Sequence, residues 1–250
     1  NMTKAVSETV EAFNNRSLHN RYVCVYLDAT YIAVRRDTVS KEAVYIAVGI
    51  REDGSKEVLG YTIAPTESAY NWQELLEELK DRGVKDVLLF VSDGLKGMAD
   101  AVFNVFPKAK YQVCLVHVAR NIMHKVRVED RKEVCEDFKM IHQAKGAEAA
   151  KEALETFCEK WGKSYKKVAQ GLRENPYLLT FYSFPKAIWR SIYSTNLIES
   201  FNKQIKKYTK RKEQFPNEES LERFLVTQFE DYNQRFATRC HIGSIRPVRS

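Results

Sequence analysis

The stretch Tyr22-Val-Cys-Val-Tyr-Leu-Asp28-Ala-Thr30 constrains the fold of this chain more than any other. Its β-branched and aromatic residues, with no Gly or Pro and a single charge, predict a buried strand. By the two-residue period of a strand, Tyr22, Cys24, Tyr26 and Asp28 share one face, while Val23, Val25 and Leu27 share the other. An acid carried out of the end of such a strand needs a reason. Ionised carboxylates are seldom kept in apolar surroundings unless they are paired, hydrogen-bonded or bound to a metal. The plain alternative is a strand-end Asp that caps the next turn.

Two further strands follow, Ala43 to Ile50 and Lys56 to Ala64, joined by Arg51-Glu-Asp-Gly-Ser55 with the Asp-Gly pair of a tight hairpin. Trp72, Leu75, Leu76 and Leu79 then recur at helical spacing between Ser68 and Arg82, with Gly83 as the stop. The short apolar run Asp86 to Val91 predicts a central strand, and Ser92-Asp93-Gly94 follows it at once. A second helix, about Leu95 to Val105, leads to a fifth strand, Lys110 to Val116, with His117 at its end. Three antiparallel strands followed by strands alternating with helices describe a mixed α/β sheet with helices on its faces.

Before the first strand, Val6, Val10 and Phe13 suggest a short leading helix over residues 3–18. Beyond Ala119 the strand signals vanish. Val134, Phe138 and Ile141, then Ala149, Ala153, Leu154, Phe157 and Trp161, predict amphipathic helices with a small core of their own. The last major helix is expected to start at Ser194 or Thr195, either of which could cap it, and to carry Asn196 and Glu199 through Lys207.

Bulk properties exclude several classes. The chain has 250 residues, 44% of them apolar and 29% charged, enough for a substantial core. No apolar run approaches the roughly 20 residues that span a bilayer, and the start lacks the apolar core of a signal peptide, so an intracellular, cytoplasmic protein is expected. Five scattered cysteines, Cys24, Cys114, Cys135, Cys158 and Cys240, are expected to be reduced thiols. Of the net charge of +7, +6 lies from Lys186 onward. Such concentration favours a polyanionic partner over a uniformly solvated surface.

Asp28, Asp93 and Glu199 each stand where a side chain can reach a cleft at a sheet edge. Three carboxylates brought together repel one another and stay ionised around cations, and hard oxygen ligands suit Mg²⁺ or Mn²⁺. Two such ions roughly 3.5–4 Å apart can activate an attacking hydroxyl and stabilise the leaving oxygen of a phosphodiester. On a helix, Asn202, Lys203, Lys206 and Lys207 follow Glu199 at three, four, seven and eight residues, so the acid heads a largely basic face suited to a phosphate backbone. Each acid also has a plain reading: a turn residue for Asp93, a first-turn acid for Glu199. Gly94-Leu-Lys-Gly97 lacks the spacing of a P-loop, so no nucleotide cofactor is implied. Cys114 and His117 fall short of the four ligands of a structural zinc.

The segments Leu27-Asp28-Ala-Thr-Tyr31, Val91-Ser-Asp93-Gly-Leu-Lys-Gly97, Val113-Cys114-Leu-Val-His117-Val-Ala-Arg-Asn121 and Tyr193-Ser-Thr-Asn-Leu-Ile-Glu199-Ser-Phe-Asn202 strongly resemble the Mutator-type transposases of bacterial insertion sequences, from about residue 20 to about residue 236. The resemblance implies a ribonuclease-H-like catalytic domain with a mixed five-stranded sheet, interrupted by an all-helical insertion before the last catalytic helix. It implies the acid triad Asp28, Asp93 and Glu199 as catalytic and metal-holding residues, with two Mg²⁺ or Mn²⁺ ions. It also implies cleavage and strand transfer of double-stranded DNA at transposon ends and targets, a homodimer, and a bacterial, nucleoid-associated setting. Lys203, Lys206, Lys207, Lys210, Arg211 and Asn202 are the expected DNA contacts, and His117, Cys114 and Asn196 are cleft candidates.

The expected layout is residues 1–20 as an N-terminal helix or remnant, 21–118 as the first part of the catalytic domain, 119–190 as the helical insertion, 191–236 as its closing helices and 237–250 as a tail. Members of the resembled family carry a sizeable region before the first strand, so this chain reads as a catalytic fragment or decayed copy. Two rivals follow. One is a truncated or domesticated DNA-binding relative without catalysis; the other is a ribonuclease-H-like nuclease that does not join strands.

Overall fold

The computed structural model describes residues 2–35, 39–210 and 214–237, which divide into two compact units: Asn1–Lys110 with Thr195–Ser250, and Tyr111–Ser194. In the first unit, helix α1 (Met2–Asn15) precedes strands β1 (Arg21–Tyr22), β2 (Cys24–Arg35), β3 (Val39–Ile50) and β4 (Lys56–Ala64). Helix α2 (Ala69–Asp81), strands β5 (Asp86–Val87) and β6 (Leu89–Ser92), helix α3 (Met98–Val105) and the start of β7 (Lys110–Val113) follow. The second unit holds α4 (Leu115–Lys125), α5 (Arg131–His142), α6 (Ala147–Trp161), α7 (Lys166–Arg173) and the short α8 (Trp189–Ile192). The chain then re-enters the first unit with α9 (Asn196–Thr209) and α10 (Glu218–Phe236).

The mixed sheet has five strands in the order β4-β3-β2-β6-β7. β2 pairs antiparallel with β3 along its whole length and parallel with β6, and β3 pairs antiparallel with β4. The Lys110 amide, opening β7, donates to the Leu88 carbonyl at 2.9 Å. A central strand is covered on both faces, which explains why Cys24, Val25, Tyr26 and Leu27 are all buried. The β3–β4 hairpin turns on Gly54 at φ 81°, a conformation that favours glycine, with Gly54 N donating to Arg51 O at 3.0 Å.

Two expected strands are each broken once. Tyr22 does not continue into β2: Val23 interrupts the run, and Tyr22 belongs to a separate parallel pair, β1 with β5. The same offset parts β5 from β6 at Leu88, whose amide donates to Tyr22 O at 3.1 Å. The Tyr22 ring packs over Gly49, where a Cβ would meet it at 2.6 Å. Its hydroxyl donates to Glu57 Oε1 at 2.7 Å, so the break sends a bulky phenol to a buried acid.

α9 lies against β2, and α10 packs on β4 and α1. The segment after α9 returns to the far end of β2: Arg35 N donates to Phe215 O and Phe215 N to Ala33 O, at 2.8 and 3.1 Å. Phe201, Phe229 and Tyr232 join α9 and α10 through ring contacts, and Phe13 of α1 meets Phe229 at 5.6 Å. The leading helix is thus part of this unit's core. Ser68 caps α2 as its position suggests, its side chain accepting from Asn71 N.

The second unit is helical apart from the end of β7, with Val134, Phe138, Ile141, Phe157 and Trp161 buried as the periodicity predicts. The buried stripe of α6 differs from the expected one: Ala149 is exposed, and Ala150 and Cys158 take its place. The expected strand over 110–116 ends at Val113, and His117 lies in the first turn of α4 instead of at a strand end. Cys24, Cys114, Cys135 and Cys158 are free thiols, and burial pushes the Cys24 thiol up to about 12. Cys240 and the expected tail after residue 237 lie outside the described residues. No described helix is long and apolar enough to cross a membrane.

Candidate active site

Strand register relates two of the three acids. Tyr26 of β2 is the parallel register partner of Val91 of β6, and Asp28 and Asp93 each stand two residues further along. Because side chains alternate with a period of two, the aspartates follow neighbouring parallel strands in the same direction and in the same phase. Both are half-buried. At Asp93 the strand gives way to a turn: Leu95 N donates to Asp93 Oδ1 at 3.1 Å, and Gly94, at φ 86°, donates its N–H to Ser92 Oγ at 3.3 Å. The turn engages Oδ1 and leaves Oδ2 outside it, so a turn role and a ligand role are compatible in one side chain.

The third acid is delivered by α9. Ile198, Glu199, Phe201, Asn202 and Ile205 form the buried face of this helix. The three aliphatic and aromatic members explain why that face turns inward, and Glu199 and Asn202 are carried in with them at 8% and 5% exposure. Thr195 precedes the helix without capping it through its side chain; its hydroxyl lies 3.5 Å from Glu199 Oε1 as donor. One turn beyond Glu199, Asn202 Nδ2 donates to Asp28 Oδ2 at 2.7 Å. That bond ties two points 174 residues apart in sequence and holds α9 against β2, in which Asp28 is an interior residue and not the strand end expected from sequence, because β2 continues to Arg35.

Lys203, Lys206, Lys207 and Lys210 are exposed. Their spacing of three, four and seven residues makes them one stripe. Asn202, grouped with these lysines by sequence, departs from them in being buried, although it adjoins Lys206 one turn on. Asn196, the first residue of α9, is exposed; Cys114 is buried at the start of α4 and His117 half-buried one turn on, both in the second unit. Arg211 lies outside the described residues.

Asp28, Asp93, Glu199 and Asn202 offer oxygen donors alone, the ligand type of Mg²⁺ and Mn²⁺. Asn202 Oδ1 is buried with no hydrogen-bond donor, an exception that asks for an explanation in a native core. A divalent cation, or water bound to one, is a suitable partner for such a carbonyl oxygen. The Asn202 contact was missed in sequence, although its spacing from Glu199 already put the two on one side of a helix.

Comparison with known proteins places the chain. The family model described as "Transposase, Mutator family" matches residues 1–238. The chain belongs to the Mutator family of transposases. It is 50% identical over 243 residues to the transposase for insertion sequence element IS905 of Lactococcus lactis, covering 97% of this chain and 62% of that relative. It is 50% identical over 233 residues to the transposase for IS1201 of Lactobacillus helveticus, covering 93% and 63%. The chain thus spans under two thirds of the length of these curated relatives. Among solved structures, the Drosophila P element transposase strand transfer complex matches at 10% identity and TM-score 0.33, covering 94% of this chain and 71% of that one. The catalytic domain of Mos1 mariner transposase matches at 14% identity and TM-score 0.25, covering 67% and 93%.

Proposed function

We propose that the chain is the catalytic part of a Mutator-family transposase, which cuts DNA at an element end and joins the freed 3′-hydroxyl to a second phosphodiester. The observation that carries this reading is the bond from Asn202, on the helix that bears Glu199, to Asp28 of β2, with Asp93 just beyond the end of β6, the parallel neighbour of β2. The strand order, three antiparallel strands continued by β6 parallel to the central β2 and then by β7, supports a ribonuclease-H-like domain. In this reading, the helical insertion expected over residues 119–190 lies within the second unit, residues 111–194.

Asp28, Asp93 and Glu199 would hold two Mg²⁺ or Mn²⁺ ions. When bound, such ions activate an attacking hydroxyl and stabilise the leaving oxygen of a phosphodiester. The chain's own residues do the rest. Asn202 holds the Asp28 carboxylate, and the Ser92–Leu95 turn holds that of Asp93. Lys203, Lys206 and Lys207 bind backbone phosphates one and two turns beyond Glu199, and Lys210 extends the stripe. Such contacts position a duplex without reading its sequence. Joining paired ends calls for two copies of the chain on one DNA.

The test is strand transfer on a pre-cleaved, labelled DNA end with Mn²⁺. Joined products that vanish in Asp93→Asn support the proposal. Nicks without joining point to a nuclease, and bound but intact DNA, unaltered by Asp93→Asn, points to a non-catalytic binder.

A further inference from the structure

We infer that the exposed face of α7, in the second unit, is a further DNA-contacting surface on which Lys163, Lys166 and Lys167 meet phosphates of the duplex backbone. This deepens the transposase reading above, on which it rests, by adding a contact surface away from the acids and from α9. Helix α7 buries Val168, Ala169 and Leu172 and exposes Lys166, Lys167, Gln170 and Gly171. Lys163 is exposed in the turn just before it.

The neighbouring cations of this unit are matched by acids. Lys160 reaches Glu133 and Asp137 at 2.6 and 2.7 Å, and Lys151 reaches Glu148 at 2.8 Å. Arg173, the last residue of α7, reaches Glu155 at 2.8 Å, and Glu174 accepts from Gln170 Nε2 at 2.8 Å. Lys163, Lys166 and Lys167 pair with no carboxylate among the described residues. Three adjacent positive charges are thus left open to solvent.

Their place on the helix sharpens the point. The first turn of a helix carries partial positive charge and favours acids. Helices α3, α5, α6 and α10 obey this, with Asp100, Glu133, Glu148 and the pair Glu218 and Glu219. Helix α7 has no acid in its first turn and no side-chain cap, because the Tyr165 hydroxyl donates to Asp130 instead. Two lysines fill that turn, with the third just before it, so each charge stands against the dipole and costs the free chain stability. Gly171 adds to that cost, since glycine is less favourable than alanine in a helix. Nothing lies within 4 Å of where its Cβ would stand, so packing inside the unit does not call for it. A bare backbone one turn beyond Lys167 lets a large partner come close.

A polyanion turns these costs into contacts. Its phosphates pair with the three lysines and complement the positive end of the helix, and DNA is the polyanion that the proposed activity already brings to the chain. Such contacts hold a duplex without reading its sequence.

Fluorescence anisotropy of the whole 250-residue chain on a labelled arbitrary duplex at several salt concentrations, beside melting curves, tests this. Replacing Lys163, Lys166 and Lys167 together by Ala should reduce the slope of log binding constant against log salt by about 2.7, or about 0.9 per lysine. Lys167→Ala alone should reduce it by about 0.9, while Lys151→Ala, which removes the same charge from a lysine already matched by Glu148, should leave it unaltered. Lys166→Glu with Lys167→Glu should raise the melting temperature and weaken DNA binding more than the alanines do. Gly171→Leu should give the same two signs. Residues that served only the fold would lower stability and binding together.

An unaltered slope in the three-lysine variant, with a reduced one when the α9 lysines are replaced, overturns the assignment of DNA to α7. So does an equal effect of Lys151→Ala and Lys167→Ala, which would reflect total charge and not a surface. A lower melting temperature in the double glutamate variant overturns it as well, as does a self-association of the chain that the three-lysine variant loses while its DNA binding stays unaltered, which would make the partner a second copy. All of these results leave the transposase reading standing. If the unaltered chain binds no DNA, that reading fails and takes this inference with it.

Discussion

Two carboxylates in the first unit, Glu57 and Asp28, show how the same chemical group can be held by different donors. Glu57 is enclosed by cations from its own chain: Arg51 donates to Oε1 from Nε at 2.9 Å and from Nη2 at 2.6 Å, Arg16 lies 3.6 Å from Oε2, and the Tyr22 hydroxyl adds a bond at 2.7 Å. Burial, more than the nearby Glu57 charge, drives the Tyr22 phenol far above its usual range, so it remains a donor. Within β2, by contrast, Asp28 Oδ2 accepts from a neutral amide, Asn202 Nδ2, at 2.7 Å. A guanidinium both orients and neutralises; an amide orients without discharging. Glu57 holds β1, β4 and the β3–β4 turn together, whereas the Asn202–Asp28 bond joins α9 to β2.

The sharpest way to break this contrast is to remove charge from each site in turn. Asp93→Asn should leave the fold intact and lower Mn²⁺-dependent DNA cleavage by about 10³-fold or more, since metal stabilisation of the transition state is worth several kcal/mol. The check is cleavage of a labelled duplex, beside a melting curve that overlays that of the unaltered chain. Glu57→Ala should do the reverse. It strands two arginines around a lost partner, and breaking a pair of this kind costs about 3 kcal/mol. Urea unfolding should show that loss, while Mn²⁺ affinity stays unaltered.

A smaller effect sharpens the picture from the outer side of α9. Lys203, Lys206, Lys207 and Lys210 are exposed, so replacing one by Ala should leave stability alone. It should reduce the slope of log binding constant against log salt by about 0.9 per lysine, as expected for one phosphate contact each. Fluorescence anisotropy on an arbitrary duplex at several salt concentrations measures it. Equal slopes for the unaltered and four-lysine variants would mean that DNA does not lie along this stripe.

The smallest effect concerns a third carboxylate, Glu222 of α10. Burial first, then the charges of Glu218 and Glu219, raise its carboxyl above the ordinary value of 4.5, partly offset by the Tyr61 hydroxyl. The folded chain therefore holds this proton more tightly than the unfolded chain does. The stability linked to it is present below pH 4.5 and lost as pH rises through the folded value. Glu222→Gln should thus be more stable than the unaltered chain at pH 7, by under about 1 kcal/mol for a partly solvated group, and equal to it below pH 4.5. Melting temperatures across pH 4–8 give the comparison.

What the sequence made legible follows physical range. The β3–β4 hairpin and helix α2 rest on local signals, Asp53-Gly54 and the Trp72, Leu75, Leu76, Leu79 spacing, and both stand where those signals place them. The breaks at Val23 and Leu88 could not be seen, because nothing within either run interrupts its β character. They arise from a parallel pairing between segments more than sixty residues apart. Leu115 and Val116 extend an apolar run that points to a strand ending at His117, yet those residues open α4, and apolar runs this short do not distinguish the two states.

The acids themselves were suggested by their neighbours in sequence, and their relation in space depends on register. Tyr26 and Val91 being partners is a tertiary fact. Asn202 shows the limit best. Helical spacing makes it a neighbour of Glu199 and of Lys206 at once, so sequence alone does not tell whether it is buried or exposed. Burial of Ile198, Phe201 and Ile205 decides the rotation of α9, and with it that Asn202 meets Asp28.

The central claim, that residues distant in sequence assemble one cation site, is tested most directly by diffraction from a crystal soaked in Mn²⁺ and measured at the manganese absorption edge. The account predicts anomalous density bounded by the carboxylates of Asp28 and Asp93 on the side where Glu199 approaches, and its loss in Asp28→Asn. Density elsewhere on the molecule, with none beside Asp28, would contradict it.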